Sequence, residues 1–208
     1  MKKFFFIGRD YDLSYLTNEY KKTFLGYSLK SKGDLKKGLL YFMDENKLNK
    51  KLLLKHFALI ILDKPNLRKK AYSKFKKICG SYISKKSLIY SSEVYFNKKG
   101  LKFPDQKSII IQDFVKIYPF VNFGIGCKFN INSQIHHECQ IGNFVTIAPS
   151  AIILGNVKIN DCSYIGAGAV IKQNIKIGRN CIIGAGSVVV KDVPNNSTVV
   201  GVPAKKID

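Results

Sequence analysis

The chain contains three histidines, and two of them, His136 and His137, are adjacent and followed by Glu138 within the stretch "INSQIHHECQIG". Imidazole titrates near neutrality, so it can accept a proton from an attacking nucleophile and later return it to a leaving group. A carboxylate in reach of the other ring nitrogen would fix the tautomer and stabilise the imidazolium. Adjacent imidazoles could instead bind a metal, but a site would need a third ligand, and the remaining histidine, His56, lies in the other half of the chain. No metal is therefore expected. The five cysteines are odd in number and show no CxxC spacing, which speaks against both a disulfide framework and a zinc knuckle.

What must position these groups is legible from a period of six. Starting at Ile111, every sixth residue to Val189 is large and apolar, fourteen in succession: isoleucine at all but Phe123, Phe129 and Val189. Two residues earlier the side chain is usually small or β-branched, as at Val115, Cys127, Ser133, Cys139, Ala151 and Cys181. A strand alternates with period two and a helix with 3.6; neither gives a strict six. Each hexapeptide reads as a short strand plus a tight turn, three of which close one triangular coil, and coils stack as a solenoid. The large residue fills the interior, and the cysteines at 127, 139 and 181 become its small companions. Glycine recurs directly after the large residue, at Gly142, Gly166, Gly178 and Gly184, where a turn conformation with positive φ is the expectation. On this reading His137 stands two residues past an interior isoleucine and points outward.

The first half has another pattern. "KKFFFIG", "TFLGYSLKS", "GLLYFMD" and "FALIILD" read as strands, with "YLTNEYKKTF" and "NKLNKKLLLKH" as helices between them. "NLRKKAYSKFKKI", introduced by Pro65, reads as a basic helix. Such alternation predicts a small parallel α/β domain of Rossmann-like type over residues 1–84, followed by the solenoid over 85–208, whose first irregular turns begin near Leu88. Residues 1–110 hold 26 Lys+Arg against 9 Asp+Glu, a net of +17, and residues 111–208 hold 9 against 5, a net of +4. The basic half suits an anionic ligand or simply reflects solvated lysines. The lysines form no aromatic-interleaved stripe, so nucleic acid is not an expected partner. The apolar run at the start ends at Gly8, and no other run approaches the ~20 residues of a membrane span. A cytoplasmic location without membrane insertion is the expectation.

The strings "NINSQIHHECQIGNFVTIAPSAIILGNVKI", "IGAGAVI", "IGAGSVVVKDVP" and "VVGVPAKKI" resemble the left-handed β-helix sugar acetyltransferases. The resemblance is strongest to the bacterial enzymes that N-acetylate nucleotide-linked 4-amino-6-deoxysugars of the bacillosamine type. It implies a C-terminal left-handed parallel β-helix and acetyl-CoA as co-substrate. It also implies an acyltransferase acting on a sugar amine for surface glycan or lipopolysaccharide synthesis, and a homotrimer with sites between neighbouring helices. In "HECQIG" it makes His137 the general base, with Glu138 supporting it. Asn130 matches a family position near that histidine. Thr146, Gly155, Ala167 and Ala185 match coenzyme A contacts, and Lys205 with Lys206 could meet its phosphates. The family often has histidine where this chain has Thr146. The nucleotide-binding turn after the first strand corresponds to Gly8, Arg9 and Asp10, where the family's second and third glycines are absent. Two other readings stay open: O-acetylation of a sialic-acid-type sugar by the same base, and a β-helix scaffold without turnover.

Overall fold

A computed structural model describes residues 4–7, 24–28, 57–60, 62–77, 79–84, 86–90, 100–102 and 107–207. The proposed strands around 38–44 and the first two expected helices lie outside these residues, as do Gly8, Arg9 and Asp10. Within the first half, Phe4–Ile7 pairs in parallel with both Phe24–Ser28 and Phe57–Ile60, so the strand written first occupies the middle of a three-stranded sheet.

From Ser81 onwards the chain winds as a left-handed β-solenoid of about five turns. Its strands are mostly two residues long and fall into three parallel faces, each pairing with residues eighteen positions on. The first face includes Ile110–Ile111, Lys128–Phe129, Thr146–Ile147, Tyr164–Ile165 and Ile182–Ile183. The second runs from Leu88–Ile89 to Val188–Val189 and includes Gln134–Ile135. The third holds Asn122–Phe123, Gln140–Ile141, Lys158–Ile159 and Lys176–Ile177. Coil-to-coil backbone bonds such as Gln134 N–H to Ala151 O (2.9 Å) and Gln140 N–H to Val157 O (2.9 Å) satisfy the polar groups that such short strands would leave open.

The six-residue ladder forms the core. From Ile111 to Val189 its members are buried, apart from the partly buried Phe123 at the open end of the third face. Cys127, Cys139 and Cys181 are buried beside them, and all five cysteines are free thiols. Burial away from water pushes the Cys127 thiol up to about 12 and Cys139 up to about 11, which keeps both protonated and unreactive. The solenoid begins earlier than the ladder indicates: Ser81–Ile83 already pairs with Ile110–Ile111, ahead of Leu88. The irregular spacing from 84 to 109 hides this from a six-residue count.

The glycines need a different explanation from the expected one. Positive φ recurs three residues after each large residue from Ile111 to Ile183, at positions held by Asn132, Glu138, Phe144, Asn156 and others, and only at Gly126, Gly168 and Gly186 among the repeat's glycines. Gly166 and Gly178 do not share it. A Cβ on Gly166 would lie 2.6 Å from the Ala185 nitrogen, and one on Gly178 would lie 2.5 Å from that of Asn195. Close approach of the next coil, rather than turn conformation, selects glycine there.

The helix Pro65–Phe75 begins with proline at its first turn, as the sequence indicates. It docks on the solenoid through Arg68, which is fully buried. The guanidinium donates to Gly126 O (2.5 Å), Phe144 O (3.0 Å), Val145 O (3.1 Å) and Thr146 Oγ1 (2.9 Å). Burial lowers its pKa to about 10, partly offset by Cys127 and Asp63, so it remains charged near neutrality. Lys128 Nζ, also buried, pairs with Asp63 at 2.5 Å. A second apolar cluster of Ile60, Tyr72, Phe75, Cys79, Phe144 and Cys162 fills the seam.

Candidate functional site

His137 and Glu138 form the turn between the second and third faces. Ile135 and Cys139, both fully buried, anchor the chain on either side, so His137 and Glu138 at the tip of the turn between them are driven outward. Neighbouring coils hold the turn: Glu138 N–H donates to Pro119 O (3.2 Å), and Asn156 N–H donates to His137 O (2.9 Å). Glu138 takes a φ of 60°, as the second residue of most of the solenoid's turns does. In this geometry His137 Nδ1 lies 2.9 Å from Glu138 Oε2, with the two side chains 58% and 61% exposed. A carboxylate accepts and cannot donate, so a neutral ring in this contact would carry its hydrogen on Nδ1 and its lone pair on Nε2. An imidazole beside a carboxylate on an accessible edge is an arrangement that can accept a proton.

His136 has a different environment. Its ring stacks on Tyr118 (4.6 Å between centroids, 15° between planes), which stacks in turn on Tyr90 (5.6 Å, 29°). Desolvation, then the proximity of His137, lowers its pKa and favours the neutral ring. The two adjacent histidines are thus separated in environment by one residue of turn geometry.

Among the other described residues singled out from the sequence, only Gly155 joins this corner: it follows Leu154 in the next coil, and the His137 ring rests against it. Asn130 lies at the other end of the second face, in the turn between the first and second faces. It is buried, and its amide donates to Ile147 O (3.0 Å). Ala167 and Ala185 line that same edge, both exposed, with Gly168 and Gly186 beside them and nothing within 4 Å of their missing side chains. Lys205 is exposed on a C-terminal hairpin of Thr198–Gly201 and Ala204–Ile207. Thr146 is not brought to either edge. Its hydroxyl accepts from Arg68 and donates to Asp63 O (2.8 Å), and the residue is fully buried beneath the helix.

On the third face, a groove of roughly 610 Å³ is lined by Lys107, Asn122, Gln140, Asn143 and Lys158, with Ile109 among its apolar walls. Its amides and lysines suit a hydroxyl-rich or anionic ligand, but neither His137 nor Glu138 lines it. Among the described residues, no three His, Cys, Asp or Glu side chains converge as a metal site. No helix among them is long and apolar enough to cross a membrane. Sequence reasoning missed the Tyr90–Tyr118–His136 stack and the contact between Gly155 and His137. Stepping eighteen residues, one full coil, would have paired both Tyr118 with His136 and His137 with Gly155.

Residues 138–173 and 156–191 match the model for the bacterial transferase hexapeptide (six repeats). These residues form a hexapeptide-repeat segment within the chain. A GDP-perosamine N-acetyltransferase of Escherichia coli O157:H7 is 47% identical to this chain over 59 residues. That alignment spans 28% of this chain and only 27% of that enzyme. WeeI from Acinetobacter baumannii AYE superposes with a TM-score of 0.80 at 23% identity, covering all of both chains. The acetyltransferase domain of PglB from Neisseria gonorrhoeae FA1090 gives 0.76 at 19%, again over all of both. PerB from Caulobacter crescentus, solved in complex with CoA and GDP-perosamine, gives 0.76 at 18%, over 100% of this chain and 98% of that one. At these identities the structural matches establish a shared fold.

Proposed function

We propose that the chain transfers the acetyl group of acetyl-CoA to the amine of a nucleotide-linked amino-deoxysugar, in the cytoplasm, for synthesis of a surface glycan such as lipopolysaccharide. The observation that carries this reading is the 2.9 Å His137–Glu138 pair on an exposed solenoid corner. The partial identity to a GDP-perosamine N-acetyltransferase supplies the substrate class.

The chemistry follows from the pair. The neutral sugar amine attacks the thioester carbonyl and forms the C–N bond while His137 Nε2 removes a proton from nitrogen. Glu138 stabilises the imidazolium that results. The tetrahedral intermediate then breaks its C–S bond, and the imidazolium delivers the proton to the departing CoA sulfur. A turn N–H is a suitable donor for the developing oxyanion.

Two separate edges enter this reading. His137, Glu138 and Gly155 stand at one end of the second face; Asn130, Ala167 and Ala185 stand at the other. One ligand bridging both sets is most simply accommodated when a second copy places its Asn130 edge against the first copy's His137 edge. A closed ring of three copies would build three such grooves. The open Ala167 and Ala185 edge, with exposed Lys205 near the chain's end, would then take the pantetheine arm and phosphates of CoA. Residues 1–84, with Gly8, Arg9 and Asp10, would hold the nucleotide, and 85–208 would perform the transfer.

A panel of UDP-, dTDP- and GDP-linked amino sugars, offered with acetyl-CoA and a thiol reagent, tests the proposal. Thiol release with one of these acceptors and none with the matching hydroxy sugar is expected. Release only with the hydroxy sugars would replace the N-acetyl reading with O-acetylation, and no release with any acceptor would favour a scaffold.

A further inference from the structure

Gly155 stands eighteen residues after His137, one coil further along the same edge. The two are tied through their backbones by the bond from Asn156 N–H to His137 O (2.9 Å). A Cβ added to Gly155 would lie 2.6 Å from both Cε1 and Nε2 of His137 and 3.2 Å from Nδ1. Non-bonded carbon contacts settle near 3.5–4 Å, so the imidazole occupies the space that any side chain at 155 would need. The backbone does not demand glycine there, because Gly155 is absent from the positive-φ positions. Nor does the place in the turn demand it: the equivalent residues one coil before His137 and one coil after Gly155 are Pro119 and Gln173.

We propose that Gly155 is a positioning residue for the acetyl transfer: it is the seat that lets the His137 ring lie with Nδ1 on Glu138 and Nε2 presented to the acceptor amine. A methyl group at 155 would lift the ring edge that carries Nε2. It would also break or tilt the 2.9 Å contact with Glu138. This inference rests on His137 being the base, and it differs from a coenzyme A contact at Gly155, which would act through the affinity for acetyl-CoA.

The test compares the wild type, Gly155→Ala, His137→Ala and the double variant by steady-state kinetics, thermal unfolding and NMR titration of the three histidine side chains. Gly155→Ala should lower kcat at least ~10²-fold with KM for acetyl-CoA within about twofold. The His137 signals should shift and titrate differently. In the His137→Ala background the second substitution should change neither the residual rate nor the unfolding temperature, because the added methyl then has room. Gly155→Ala with near-normal kcat, beside an inactive His137→Ala, would overturn the seat and leave the base assignment standing. A raised KM at unchanged kcat would assign Gly155 to coenzyme A instead. An active His137→Ala would remove the base assignment, and unshifted His137 signals in Gly155→Ala would then refute the seat on their own. A double variant less stable than His137→Ala would place the clash elsewhere and also overturn it.

Discussion

The edge with His137 and the edge with Asn130 are built from the same six-residue unit, bound the same second face, and differ almost wholly in what points outward. At the first, an imidazole and a carboxylate project from one turn, and glycine in the next coil makes room for the ring. At the second, Asn130 is buried against Ile147 O, the next coil presents Pro149 and Ser150, and the two after it present Ala167–Gly168 and Ala185–Gly186 with open space beside the glycines. Interior packing cannot distinguish the two, since the ladder under both is isoleucine or phenylalanine. The solenoid is therefore a neutral scaffold, and chemistry is written in the two outward residues of each turn. In the proposed reaction the His137 edge is the reactive edge, where the proton moves, and the Ala167–Ala185 edge is the smooth edge, where the long flexible cofactor lies.

Replacing His137 with Ala probes the reactive edge and should have the largest effect, a loss of at least ~10²-fold in kcat with the fold intact. Thiol release from acetyl-CoA measures it; an unimpaired rate would make the two edges equivalent and void the contrast. A bulky residue on the smooth edge, Ala185→Leu, should raise KM for acetyl-CoA about tenfold while kcat stays within a few-fold. Were kcat to fall instead, the smooth edge would belong to the chemical step. The smallest effect concerns His136, beside the reactive edge. Its folded pKa is lowered by burial and by His137, so on acidification the unfolded chain takes up a proton first. Stability should fall as pH drops below about 6.5, the ordinary histidine value, and should not depend on His136 above it. Thermal unfolding at pH 8 and pH 5.5 should show a smaller drop for His136→Phe than for the wild type, and an equal drop would exclude the stacked neutral ring.

Much of this was readable from residue types alone. The six-residue period placed Ile135 and Ile141 inside, Cys139 beside them, and His137 outside; Pro65 marked the start of a helix. The reading failed where contacts cross coils. Thr146 resembled a ligand contact by position, yet Arg68, seventy-eight residues earlier, caps its hydroxyl and buries it. The glycines after the large residues looked like turn formers, but Gly166 and Gly178 are constrained by the backbone of the following coil.

By itself the sequence determined the solenoid, because a strict period of six leaves the apolar side chains no other common interior, and it singled out "HHE" as a turn that carries imidazole and carboxylate together. Only the tertiary structure decided what each of these residues touches. The stacking of coils places Tyr118 under His136 and Gly155 against His137, and the docking of the helix removes Thr146 from the surface. These are contacts between residues that are eighteen or more positions apart, set by the rise of one coil on the next and by the burial of Arg68. His136 is stacked on Tyr118, and His137 lies exposed beside Glu138 with Gly155 against its ring, a difference in contacts that residue type alone does not give.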